Sequence, residues 1–82
     1  MPRYHFHIHD GISTPDAEGT ELANVEEARE QAVRLAGELL CMHPRAFWQG
    51  DEWVMEVTDS EGLMLFTLTF FVTDAPASSR AR

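Results

Sequence analysis

The chain has 82 residues, 44% hydrophobic and 10% aromatic, enough for one small core and too few for a barrel or a doubly wound sheet. Fourteen acidic residues stand against six basic ones, all Arg, and the formal charge of −8 repels phosphate, which argues against direct binding of nucleic acid or of an anionic membrane. Cys41 is the single cysteine, so an intrachain disulfide and a zinc framework of thiolates are both excluded.

Arg3 to His9 alternate strictly, with Tyr4, Phe6 and Ile8 on one side and Arg3, His5, His7 and His9 on the other, the period of a half-buried strand. Asp10-Gly11 is a turn signal. Ile12 to Pro15 can form a short second strand, which Pro15 confines to an edge. Asp16 to Glu21 reads as a polar loop. A helix begins at Asn24, whose side chain can cap the first turn, with Glu27 three residues later as in a capping box. Val25, Ala28, Ala32, Leu35, Ala36, Leu39 and Leu40 give it one apolar face, and Pro44 ends it at Met42 or His43.

Arg45 to Gly50 reads as a connector carrying Phe47 and Trp48. Glu52 to Thr58 is a strand with Trp53, Met55 and Val57 opposed to Val54, Glu56 and Thr58. Asp59-Ser60-Glu61-Gly62 is a tight hairpin loop. Leu63 to Val72 is the longest strand, with Met64, Phe66, Leu68 and Phe70 on one side and Leu65, Thr67, Thr69 and Phe71 on the other. The domain is expected to span residues 1–74, with 75–82 as a flexible C-terminal tail.

This order predicts an α+β fold, a three- or four-stranded, mainly antiparallel sheet with one amphipathic helix packed across one face. The other face would carry His5, His7, His9, Glu56, Thr58, Thr67 and Thr69 beside Val54, Leu65 and Phe71. That mixture is too polar for a core and too apolar for a fully wetted surface. Partial burial by a second copy, or by another protein, resolves the mismatch. Leu65 and Phe71 are then interface candidates, joined by Trp48 from the connector.

The opening Pro2-Arg3-Tyr4-His5-Phe6-His7-Ile8 with Asp10-Gly11, the stretch from Pro15-Asp16 to Gly19-Thr20-Glu21-Leu22, the helix with Ala28-Arg29, and Val57-Thr58-Asp59-Ser60-Glu61-Gly62 together resemble a family of short bacterial domains of unknown function. Its members open with an Arg-Tyr-aromatic-Phe-His strand, followed by a Pro-Asp-x-x-Gly loop and a Thr-Asp-x-x-Gly hairpin. The resemblance covers about residues 2–74. It implies the fold and a small stand-alone cytoplasmic protein, and it implies no activity. His7 matches the family pattern, whereas His5 and His9 stand where an aromatic residue and an Arg are expected.

The histidine row is the most chemical feature. Alternate residues on one strand face stand roughly 6.5–7 Å apart, so two imidazoles can converge on one Zn, Ni or Cu ion. A third ligand must come from elsewhere, and Glu56 is the best placed if its strand lies beside the first. The plainer reading is three polar residues on a half-exposed face, with His7 hydrogen-bonded to Thr67 or Thr69. The same row could act as a pH switch on an interface. Cys41 lies in the last turn of the helix, where the dipole disfavours a thiolate nucleophile. Asp16, Glu18 and Glu21 in the loop, and Glu26, Glu27 and Glu30 in the helix, read as solvated surface.

No phosphate-binding glycine loop and no nucleophile–base order appears. The reading is a non-catalytic, cytoplasmic interaction module without a cofactor, forming a homodimer through its open sheet face or edge. The alternatives are a metal-binding protein using His5, His7, His9 and Glu56, and an acidic inhibitor of a basic nucleic-acid-binding protein.

Overall fold

The computed structural model of the chain describes residues 1–49, 52–73 and 75. Apart from residue 75, the expected C-terminal tail lies outside the described residues, as does Gly50 of the connector.

The elements run β1 (Arg3–His9), β2 (Ser13–Thr14), β3 (Thr20–Glu21), α1 (Val25–Met42), α2 (Pro44–Gln49), β4 (Glu52–Thr58) and β5 (Met64–Phe71). The sheet has the order β2-β1-β4-β5, and β3 joins the same edge of β1 as β2. Every pairing is antiparallel. The fold is α+β, one main helix on an antiparallel sheet, as the sequence predicts. The loop expected at Asp16 to Glu21 differs at its end, where Thr20 and Glu21 pair with Tyr4 and Arg3.

Helix α1 starts as its sequence dictates. The Asn24 side chain accepts the Glu27 N–H at 3.0 Å. Glu27 reaches back and accepts the Ala23 N–H at 2.9 Å, one residue beyond the usual box partner. Glu26 and Glu27 sit in the first turn, where the helix dipole favours negative charge. At the other end the His43 N–H bonds the Leu39 carbonyl at 3.1 Å. The segment after Pro44 is not a plain connector, because it forms the six-residue α2. Proline cannot continue α1, yet its fixed φ suits the first position of a new helix, so one residue both stops and restarts the helical path.

The core joins Tyr4 and Phe6 of β1 to Trp53, Met55 and Val57 of β4 and to Ala28, Ala32 and Ala36 of α1. The three alanines are fully buried, and their small side chains let the helix backbone come close to the aromatic residues beneath. Phe66, Leu68 and Phe70 of β5 lie on the same face but remain half-buried. The helix therefore shields the β1–β4 half of the sheet and leaves the β5 half thinly covered. Trp53 stacks on Phe70, with ring centroids 5.6 Å apart.

One register detail departs from strict alternation. Val57 opposes Phe66 while Thr58 opposes Met64, so Leu65 is an extra residue in β5. This bulge moves Met64 out of the helix-facing set expected from its parity, and Met64 is 48% exposed. Among the described residues, no helix is long and apolar enough to cross a membrane.

Candidate functional site

The histidine face is organised by a residue from the loop. Strand β2 pairs with Ile8 and His9, and β3 pairs with Arg3 and Tyr4, which leaves the middle of the β1 edge between them. Asp16 fills that gap. Its Oδ2 accepts the Phe6 N–H at 3.1 Å and its Oδ1 accepts the Gly19 N–H at 3.1 Å. Its backbone carbonyl accepts from His5 Nδ1 at 2.9 Å, and its own N–H donates to His7 Nδ1 at 3.0 Å.

These partners assign the protons. A carbonyl oxygen only accepts, so His5 carries hydrogen on Nδ1. An amide N–H only donates, so His7 Nδ1 is bare and its Nε2–H donates to Thr58 Oγ1 at 3.1 Å. The two rings lie nearly parallel, with centroids 6.1 Å apart. Thr58, not Thr67 or Thr69, is the hydroxyl partner of His7, because β4 and not β5 adjoins β1.

Burial raises the Asp16 carboxyl, but the N–H groups of Gly19 and Phe6, the nearby His5 and the N–H of Glu18 together outweigh it, and the group sits below its ordinary value of 3.8. Gly19 closes the loop at φ +73°, and a Cβ there would lie 2.8 Å from Arg3 Cγ and 2.9 Å from the Tyr4 carbonyl oxygen. Arg3 ties the loop from outside, donating to the Glu18 carbonyl at 2.9 Å and to Glu21 Oε1 at 2.8 Å. The Pro15–Gly19 stretch is thus a clamp on β1. Asp16, which reads in sequence as one of several solvated carboxylates, is its centre. The spacing of Asp16 and Gly19, an Asp bonding a backbone N–H three residues on, is the signal that could have found it.

The structure divides the proposed metal ligands. His5 and His7 face the Asp16 loop, and both His7 nitrogens are occupied. His9 pairs instead with Glu56 across the sheet. Among the described residues, no group of three or more His, Cys, Asp or Glu side chains comes together to hold a metal ion. Cys41 is exposed on α1.

The interface candidates also separate. Leu65, the bulge residue, is half-buried and packs against the core. Phe71 at the end of β5 is 69% exposed, and Trp48 on α2 is 64% exposed. Beside Trp48, Phe47 turns inward onto the core. It also borders a cavity of about 280 Å³ together with Ile8, Leu39 and Trp53, where Asp10 and His43 are the ionisable residues.

The two edges of the sheet contrast sharply. The β1 edge is closed by β2, β3 and the Asp16 carboxylate. Among the described residues, no strand pairs with the outer edge of β5. That strand is eight residues long and reads MLFTLTFF, with no charge, proline or glycine. Charges, prolines and short length are the usual devices that keep a sheet edge from pairing with another chain, and β5 uses none of them beyond the bulge at its start.

No curated protein and no solved structure matches the chain. One family model does match, over residues 3–71, from the first strand to the last residue of β5, and so takes in the clamp, the histidine face and the open edge. The chain therefore belongs to the family described as a domain of unknown function, DUF6894.

Proposed function

We propose that the protein is a non-catalytic interaction module that self-associates through the free edge of β5. One observation carries this reading: among the described residues, no strand pairs with the outer edge of β5, a long, uncharged and largely apolar strand in a sheet whose other edge is closed. Pairing two such edges satisfies outward N–H and C=O groups and shields apolar side chains that α1 covers only in part. Exposed Phe71 and half-buried Phe66, Leu68 and Phe70 supply apolar area on both sides of the strand. The histidine face supports the same reading, since Asp16, Thr58 and Glu56 engage its side chains within the chain.

Mass measurement in solution tests the proposal. Native mass spectrometry and light scattering are expected to give a dimer at micromolar concentration. Phe71→Glu, which places a charge beside the edge at a position already exposed, should convert it to a folded monomer. A wild-type protein that stays monomeric at high micromolar concentration overturns the reading.

A further inference from the structure

The edge strand carries a pattern that its role as a strand does not require. Residues 66–70 read Phe-Thr-Leu-Thr-Phe, a palindrome centred on Leu68. An antiparallel pair of identical edge strands is related by a two-fold axis perpendicular to the sheet. Such an axis keeps each sheet face on its own side, so it lies between the strands, midway between one residue and the copy of that same residue.

The position of that residue decides which side chains meet. An axis at Thr67 sets Phe66 against Leu68, Leu65 against Thr69 and Met64 against Phe70. It also draws the bulge at Leu65 into the ladder. An axis at Leu68 sets Leu68 against Leu68, Phe66 against Phe70 and Thr67 against Thr69, and it uses only the regular stretch beyond the bulge. Each pair then joins like with like: aromatic with aromatic on the helix side, hydroxyl with hydroxyl on the open side.

Resting on the self-association proposed above, we infer that two copies pair β5 with β5 in the register centred on Leu68. Their sheets fuse into one, with both α1 helices on the same side and both histidine faces on the other. The occupant of the edge is a second copy because the palindrome makes the strand complementary to itself, which an unrelated partner strand would not need. The absence of charge from β5 removes the local repulsion that a chain of net charge −8 would otherwise meet in its own copy.

Paired substitutions at Thr67 and Thr69 test the register. Both residues are exposed on the open face, so charged side chains there leave the core intact. In the proposed register residue 67 faces residue 69 of the second copy. A Thr67→Lys, Thr69→Glu variant then forms two opposite-charge pairs, while Thr67→Lys, Thr69→Lys forms two repulsive ones. From the worth of cross-strand pairs, the Lys/Glu variant should keep dimer affinity within about threefold of wild type, and the Lys/Lys variant should lose about tenfold or more.

Analytical ultracentrifugation reads both constants, and circular dichroism checks that each variant is folded. As a second measure, Leu68→Cys in a Cys41→Ser background should oxidise to a covalent dimer faster than Thr67→Cys or Thr69→Cys. A dimer in which both charged variants weaken alike, or in which Thr67→Cys cross-links fastest, overturns the register but leaves self-association standing. A wild-type monomer overturns both.

Discussion

At the residue scale, Asp16 does the work of a missing strand. Between two two-residue strands it supplies an acceptor for the Phe6 N–H, and its backbone fixes the rings of His5 and His7. Asparagine at this position keeps one acceptor oxygen but turns the other into a donor facing an N–H. Asp16→Asn should therefore cost about 1–3 kcal/mol, the range for leaving an N–H without its acceptor, as read by urea unfolding near neutral pH. The pH dependence has a definite sign. Because the folded carboxyl sits below 3.8, the unfolded state takes up the proton first. The stabilisation is complete above 3.8 and is lost as pH falls below it through the folded value. The gap between wild type and Asp16→Asn should close across that acid window; a constant gap would show that the ionised carboxylate is not what stabilises the loop.

At the element scale, the sequence speaks clearly where local rules act alone. The alternation of β1 and β4, the Asn24 cap, the apolar stripe of α1 from Ala28 onward and the Asp59–Gly62 hairpin are each set by neighbours a few residues away, and each stands where its residues place it, whereas Val25 at the start of the helix is exposed. Three features are not decided by such local rules. The bulge at Leu65 arises from the register between β4 and β5, which no parity count within β5 contains. Helix α2 hides behind a proline that signals a stop as readily as a start. The clamp at Asp16 is completed by a strand ten residues upstream, so its carboxylate looks like any other acidic side chain in the row. The histidine row is legible as a row, but its partners are not, because Glu56 lies 47 residues from His9 and Thr58 lies 51 residues from His7. The alanines of α1 yield a prediction of their own. They set the spacing between helix and sheet, and Ala32 has no exposed surface. Ala32→Leu should destabilise the fold by about 1–3 kcal/mol through overpacking, measured by thermal or urea unfolding, despite leucine's good helix propensity. A neutral result would mean that the helix can lift from the sheet without loss.

At the scale of the whole molecule, the sheet is asymmetric in its finish, and the asymmetry makes a prediction that mass alone does not. Along β5, alternate backbone groups face β4 and are already bonded within the chain, while the others face outward. Pairing with a second copy would give the outward amides partners that exist only in the dimer. Hydrogen exchange at those alternate β5 amides should slow as protein concentration rises, and the midpoint of thermal unfolding should rise with it, since association stabilises the folded state by mass action. The amide of Phe6 should show no such response beyond the overall gain in stability, because the Asp16 carboxylate serves it within one chain. Phe71→Glu should flatten both dependences. Should the wild-type protein be a dimer whose β5 amides exchange at a rate independent of concentration, the copies would meet through side chains of the open face instead, and Thr67, Thr69 and Phe71 would form the contact without the backbone ladder.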